Sequence, residues 1–196
     1  MNLKKINDKM LVFFKDRLAS LGIDKGGLNN YYAERIAKGS VLGKFDFYLI
    51  EEIKKRYASG TFIHEMACGA AQLGHVLSFL GYKVIASECD NLRFKLAGEL
   101  GEYLGSSCVV VKGDSFEIKT NARVYLTVNA VSSHVNIKNN IGYIRSKLTE
   151  GSDLMINADL YGTAKENTRG ILKSNGIKFT ELDYSFVFID GQENVR

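Results

Sequence analysis

Residues 63–74 read IHEMACGAAQLG, a short apolar run that leads into a turn of very small residues and then into a helical pattern. A second apolar run, residues 82–87, is followed by the carboxylate of Glu88. Small residues let a backbone approach a ligand closely, and the first turn of a helix offers amide groups that lack partners. An acidic residue at the end of the next strand can accept both hydroxyls of a ribose. The segment therefore predicts a nucleotide-binding crevice.

Strand-length apolar runs alternate with helical patterns from residue 61 onward. The predicted strands span residues 62–67, 82–87, 108–111, 124–128, 154–156, 177–182 and 186–189. Near-continuous hydrophobic strands separated by helices indicate a parallel sheet that is covered on both faces. Only three residues, 183–185, join the last two runs, and so short a link requires an antiparallel hairpin. We therefore expect an α/β fold with a mostly parallel sheet and a C-terminal antiparallel hairpin.

The first 60 residues have helical apolar spacing, beginning with a face of Leu3, Ile6, Met10 and Phe14. They carry 12 Lys and Arg against 7 Asp and Glu, a net charge of +5, so the basic excess of the chain, +4 in total, resides in this part. Its basic residues follow acidic ones at helical spacing, which favours a solvated helix face over a nucleic-acid patch. We predict an N-terminal helical extension over residues 1–60, either a lid or packed core, and a ligand-binding domain over residues 61–196.

The composition excludes several classes of protein. The chain of 196 residues is 45% apolar and 24% charged, which is typical of globular proteins. Its longest uninterrupted apolar run spans residues 10–14, whereas a bilayer span needs about 20 residues, so no membrane partner is expected. Cys68, Cys89 and Cys108 form no CxxC pair, which argues against a disulfide framework and against a zinc site. We expect reduced thiols, no metal and a cytoplasmic location.

Two kinds of ligand compete for the predicted crevice. The pattern of Gly69, Ala71 and Gly74 followed by Glu88 approximates a dinucleotide fingerprint whose middle glycine is replaced. Glu65 would bring negative charge toward the pyrophosphate, at a cost of a few kcal/mol. A nucleoside with an ammonium group and no phosphate would be attracted instead. The alternatives are an NAD(P)-binding Rossmann oxidoreductase or redox-responsive binding module, and a catalytically silent scaffold.

Three motifs in this order resemble those of the class I S-adenosylmethionine (SAM)-dependent methyltransferases. In that family an acidic residue precedes a glycine-rich turn, and residues 65–71 are similar to this motif. Glu88 resembles the family's acidic residue at the end of the second strand. Residues 113–115 resemble its motif after the third strand. The resemblance implies a Rossmann-like three-layer sandwich with a seven-stranded sheet, and SAM as the cofactor. It implies that Glu65 and the turn hold the methionine end, Glu88 the ribose and Asp114 the adenine amino group.

The predicted site residues follow from this resemblance. Ala67 and Ala71 stand where the family has glycine. Each adds one methyl group, which is tolerable where φ is negative, and the methyl group of Ala67 could shift the cofactor or weaken its binding. Cys68 and Cys89 flank the predicted pocket. The full set of cofactor residues is Glu65, Ala67, Cys68, Gly69, Glu88, Cys89, Asp114, Ser115 and Asn129.

Candidate acceptor residues lie after the fourth and fifth predicted strands and in the front helices. His134 is the predicted catalytic residue, because histidine titrates near neutral pH and can orient or deprotonate an acceptor. Tyr161 and, from the front helices, Tyr31, Tyr32 and Arg35 are predicted to contact the acceptor.

The chain contains no proline and therefore no Asn-Pro-Pro-aromatic motif, which makes planar nitrogen acceptors less favoured. It also has no basic stripe with interleaved aromatic residues, so nucleic acid is not expected as a partner. A methyltransferase acting on an oxygen or amine nucleophile of a small molecule is the resulting expectation. The sequence leaves a homodimer open.

Overall fold

The computed structural model describes residues 2–20, 28–128, 139–157 and 168–194, which form one seven-stranded sheet flanked by helices. The strands are β1 (Phe62–Met66), β2 (Lys83–Glu88), β3 (Val109–Lys112), β4 (Val124–Thr127), β5 (Asp153–Asn157), β6 (Thr180–Glu181) and β7 (Phe186–Ile189). The helices are α1 (Leu3–Ser20), α2 (Leu28–Ala37), α3 (Lys44–Arg56), α4 (Gln72–Phe79), α5 (Asn91–Leu104), α6 (Ile141–Thr149), α7 (Thr168–Ser174) and α8 (Gly191–Asn194).

The strand order is β3-β2-β1-β4-β5-β7-β6. Strands β1 to β5 pair in parallel, while β7 pairs antiparallel with both β5 and β6. The predicted fold, a mostly parallel seven-stranded sheet with a C-terminal antiparallel hairpin, is confirmed. The order reverses between β1 and β4, and ligands of open α/β sheets bind at such a reversal, beyond the carboxyl ends of the strands.

Successive side chains of the central strands enter two separate cores. Ile63 on β1 and Leu126 on β4 belong to the core beneath α4 and α5, whereas Met66 and Tyr125 belong to the core beneath α6 and α7. This alternation follows from the two-residue repeat of a strand and produces the three layers. It also sends Glu65 toward α4, while His64 lies against Tyr125 on the opposite face.

The N-terminal helices share the first of these cores. Ile6 and Phe14 of α1 and Ile53 of α3 are fully buried in the same apolar cluster as Leu73 and Val76 of α4. Helix α3 lies alongside the sheet, because Phe45 near its start contacts Phe186 at the beginning of β7. Among the described residues, no helix combines the length and the apolar character that crossing a bilayer would need.

Candidate nucleotide-binding site

The turn between β1 and α4 has a left-handed backbone at three residues. The φ angles are 50° at Ala67, 60° at Gly69 and 54° at Ala71. The condition for tolerating the two methyl groups without strain, a negative φ, is therefore not met at either alanine. A left-handed conformation brings Cβ too close to the following carbonyl oxygen and costs an alanine about 1 kcal/mol or more. Other parts of the protein must hold this turn in place.

Backbone amides of the turn donate to groups from two neighbouring segments. The Ala67 N–H donates to Ser115 Oγ at 2.9 Å, and the Cys68 N–H donates to the Ser87 carbonyl oxygen at 2.9 Å. The Gly69 N–H donates to Glu88 Oε2 at 2.8 Å. Because β2 and the segment after β3 supply these acceptors, the turn depends on the assembled sheet for its conformation.

Glu65 is buried beneath the start of α4, with 3% of its surface exposed. Its Oε2 accepts a hydrogen bond from the Gly74 N–H in the first turn of α4 at 2.8 Å. Burial raises the pKa of Glu65 to about 8, and the charges of Asp46 and Glu88 act in the same direction, opposed by the Gly74 N–H. Without a ligand, the Glu65 side chain is therefore mostly protonated at neutral pH. A bound cation would favour its ionised form, so that binding of the cation and loss of the proton are linked.

Glu88 closes β2 and holds two loops together. Its Oε2 accepts from Gly69, and its Oε1 accepts from the Asp90 N–H at 2.9 Å, next to the start of α5. The side chain is 3% exposed, so both carboxylate oxygens lie at the floor of the site. Cys89, the next residue, is exposed, whereas Cys68 is buried and its thiol pKa is raised by that burial.

Gly69 and Gly74 make a contrasting pair for mutation. A β-carbon on Gly69 would lie 3.9 Å from Tyr32 Oη, an ordinary contact, so Gly69→Ala should cost only the left-handed strain of about 1 kcal/mol. A β-carbon on Gly74 would lie 2.6 Å from Glu65 Oε2. Although alanine favours a helix, we expect Gly74→Ala to lower the free energy of unfolding by about 2 kcal/mol or more, because it displaces a buried hydrogen-bonded carboxyl group.

Urea unfolding of the two variants measures this difference. A Gly74→Ala protein as stable as Gly69→Ala would contradict the packing of Glu65 against α4.

Asp114 and Ser115 follow β3 and differ in exposure. Asp114 is exposed and accepts a hydrogen bond from the Phe116 N–H at 2.9 Å. Ser115 is buried, and besides the Ala67 amide it contacts Ser87 Oγ at 2.7 Å. Ser115 therefore supports the turn, while Asp114 is open to a ligand at this edge of the sheet.

His64 continues the hydrogen-bond chain that starts at Ala67. Its Nε2 lies 2.8 Å from Ser87 Oγ and its Nδ1 lies 3.1 Å from Thr120 Oγ1. Thr120 in turn donates to Tyr125 Oη at 3.1 Å. Burial, with the charge of Lys147, lowers the pKa of His64 to about 4, so the imidazole is neutral. His64 therefore has a structural role, since its hydrogen bond to Ser87 supports the turn.

Of the residues predicted in the front helices, Tyr32 lies close to the turn, and all three are engaged with protein groups. Tyr32 is buried, stacks on Phe14 at a centroid distance of 4.2 Å and donates to Gln72 Oε1 at 3.1 Å. Arg35 donates to Asp46 Oδ2 at 3.1 Å and lies 4.4 Å from the centre of the Tyr31 ring. Tyr32 covers the turn and Arg35 is the ion-pair partner of Asp46.

Three predicted site residues, Asn129, His134 and Tyr161, lie outside the described residues. Their assignment as cofactor, catalytic and acceptor residues stays a prediction.

Comparison with known proteins assigns the fold. No family model matches this sequence, and no curated protein matches it. Among solved structures, the chain is similar to a TehB-like SAM-dependent methyltransferase from Corynebacterium glutamicum, with a TM-score of 0.58, 13% identity and coverage of 82% of this chain and 92% of that chain. The chain is also similar to a magnesium protoporphyrin IX methyltransferase from Synechocystis, solved with bound SAM. The TM-score is 0.56 and the identity 14%, with coverage of 93% of this chain and 95% of that chain.

A methyltransferase from Pyrococcus furiosus is also similar, with a TM-score of 0.55, 16% identity and coverage of 74% of this chain and 82% of that chain. The chain therefore has the Rossmann-like fold of the class I SAM-dependent methyltransferases.

Proposed function

We propose that the protein is a SAM-dependent methyltransferase that transfers a methyl group to an oxygen or amine nucleophile of a small molecule. The observation that carries this proposal is the pair of buried carboxyl groups at the turn: Glu88 accepts from Gly69 within it, and Glu65 accepts from Gly74 in the helix that follows, beside the point where the strand order reverses. The fold places this turn at the edge of the sheet where α/β proteins bind nucleotides.

The hydrogen bonds of the turn favour a nucleoside without phosphate. A pyrophosphate would need the free amides at the start of α4 and in the turn. In this protein the Gly74 and Gly69 amides donate to the carboxyl groups of Glu65 and Glu88. A dinucleotide would have to displace both acidic side chains, so the NAD(P) alternative has less support.

The proposed roles follow the position of each residue along the edge. Glu65 with Ala67, Cys68 and Gly69 would hold the amino-acid end of SAM, and Glu88 the ribose. Asp114, beyond the carboxyl end of β3, would hold the adenine amino group. Cys89 would lie beside the ribose and Ser115 beneath the turn. Tyr32 would exclude water from the turn, because its ring covers it.

Bound SAM supplies a methyl group that its sulfonium already activates. The protein then has to hold the acceptor in line and to keep water out, and it needs no strong base for reactive nucleophiles. The acceptor class rests on the sequence, which lacks the motif for planar nitrogen. The fold does not select an acceptor, since similar structures include methyltransferases named for magnesium protoporphyrin IX and for precorrin-6y.

Calorimetric titration with S-adenosylhomocysteine tests the proposal. We expect a saturable one-site heat with this compound and none with NADH at the same concentrations. Binding of NADH alone would establish the dinucleotide alternative, and a folded protein that binds neither compound would favour the silent scaffold.

A further inference from the structure

Asp46, in the first turn of α3, is a buried carboxylate with one unsatisfied oxygen. It is 1% exposed, and its Oδ2 accepts from the Gly43 N–H at 2.6 Å and from Arg35 Nη1 at 3.1 Å. Its Oδ1 is buried and has no hydrogen-bond partner. Burying a charged oxygen without a donor is costly, and such atoms in folded proteins call for an explanation.

Asp153 provides a comparison within the same protein. It is 2% exposed and is also paired with an arginine, Arg123, at 2.9 Å. Both of its oxygens have partners, because Gly191 donates to Oδ1 at 3.0 Å and Tyr57 donates to Oδ2 at 2.7 Å. Asp153 lies at the first residue of β5, at the edge of the sheet opposite the turn. The unsatisfied oxygen therefore distinguishes the buried carboxylate near the site from the one remote from it.

Asp46 belongs to the surroundings of the turn. Arg35 of α2 forms an ion pair with Asp46, and Tyr32, three residues earlier on the same helix, donates to Gln72 at the start of α4 and has its Oη 3.9 Å from the position of a β-carbon on Gly69. Helix α2 therefore contacts both the turn and Asp46. Burial raises the pKa of Asp46 and that of Glu65, so a further cation at this place would help both carboxyl groups to ionise.

We propose that Asp46 is a ligand-binding residue whose Oδ1 accepts a hydrogen bond from the ammonium group of a bound amino-acid-bearing nucleoside. This inference rests on the proposed function and extends it to the N-terminal helices. Helix α3 then completes the site, since it contributes a charge that the strands and the turn do not supply. An ammonium donates up to three hydrogen bonds, enough to satisfy Asp46 and to pair with an ionised Glu65.

The test compares two ligands on two variants. S-adenosylhomocysteine carries the ammonium group, whereas 5′-methylthioadenosine shares its nucleoside and lacks the amino acid. In Asp46→Asn the amide oxygen still accepts from Gly43, but the charge is lost. We expect the affinity for S-adenosylhomocysteine to fall about 30-fold and that for 5′-methylthioadenosine to change less than about threefold. The matched control, Asp153→Asn, removes a buried carboxylate at the opposite edge and should leave both affinities unchanged.

Calorimetry on the folded variants gives a distinct result for each failure. If wild-type protein binds S-adenosylhomocysteine and Asp46→Asn weakens both ligands equally or neither, the role of Asp46 is overturned while the proposed function stands. If wild-type protein binds neither ligand, the proposed function fails and this inference fails with it.

A measurement on wild-type protein covers the case in which Asp46→Asn does not fold. The carboxyl ¹³C resonance of Asp46 should move when S-adenosylhomocysteine binds and should stay in place with 5′-methylthioadenosine. Equal shifts with both ligands would overturn the inference.

Discussion

Glu88→Ala should lower the affinity for S-adenosylhomocysteine at least 100-fold and the free energy of unfolding by about 3 kcal/mol. The substitution leaves the amides of Gly69 and Asp90 without their acceptor, and each buried unsatisfied amide costs about 1–3 kcal/mol. It also removes the carboxylate proposed to bind the ribose. Calorimetry and urea unfolding measure the two effects separately.

Asp153→Ala is the control for the loss of a buried carboxylate. It should destabilise the protein by a similar amount, because it leaves Gly191 and Tyr57 without their acceptor and removes the ion pair with Arg123, yet ligand affinity should be unchanged. A ligand that lacks the ribose 2′-hydroxyl separates the two roles of Glu88, since wild-type protein should discriminate against it and Glu88→Gln should not. Folded Glu88→Ala that binds S-adenosylhomocysteine as tightly as wild type would refute the assigned site.

Stability should be greatest near pH 6.5. Burial lowers the pKa of His64 and of His75 to about 4, so the unfolded chain takes up their protons as the pH falls below 6.5 and the folded protein loses stability. Burial raises the pKa of Glu65 from 4.5 to about 8, so the folded protein retains a proton that the unfolded chain has lost. That contribution disappears as the pH rises toward 8.

Above pH 6.5 the loss of stability from Glu65 exceeds the remaining gain from the two histidines, whose last protons leave the unfolded chain. The free energy of unfolding should fall by about 1 kcal/mol between pH 6.5 and 8, because a loss of about 1.6 kcal/mol from Glu65 is offset by a gain of about 0.8 kcal/mol from the histidines, at about 1.4 kcal/mol per proton and pH unit. Below pH 6.5 the two histidines change the free energy of unfolding more than Glu65 does, so stability falls as the pH is lowered. The raised pKa of Asp46 makes this fall less steep.

Glu65→Gln identifies the group responsible. The glutamine does not titrate, so the decline between pH 6.5 and 8 should be absent in this variant, while Glu99→Gln on α5 should keep it. Urea unfolding at the two pH values provides the measurement. An undiminished decline in Glu65→Gln would show that another group carries it.

The sequence predicts the sheet well because its strands are buried on both faces. Strands β4 and β5 are apolar over nearly their whole length, and the three-residue link before β7 allows only an antiparallel hairpin. Two elements were harder to predict. Helix α7 has only Ile171 and Leu172 as large apolar residues and contains Gly170, so its periodicity is weak. Strand β6 is confined to two exposed residues, fewer than the six predicted, because it lies at the edge of the sheet.

The site shows which properties depend on tertiary packing. The acidic residues after β1 and β2 can be found from their spacing, but the left-handed φ of Ala67 and Ala71 cannot, since alanine ordinarily avoids it. Asp46 was missed because its burial results from tertiary packing, including its ion pair with Arg35 of α2. The available signal was its position three residues after Gly43, typical of a carboxylate that caps the start of a helix.

A series of hydrogen bonds runs from Ala67 through Ser115, Ser87, His64 and Thr120 to Tyr125. In the pairs from Ser115 to Thr120, the tautomer of the His64 imidazole decides which group donates. Tyr125 donates to the Thr120 carbonyl oxygen, and each hydroxyl has a single proton to give. With the proton on Nδ1 of His64, Ser87 donates to the ring and Ser115 donates to Ser87. Tautomerisation to Nε2 reverses both serine hydroxyls and frees the Ser115 proton, and it turns the Thr120 hydroxyl from Tyr125 Oη to Nδ1. The direction of the hydrogen bonds beneath the turn can thus be reversed with no change in net charge and no displacement of heavy atoms.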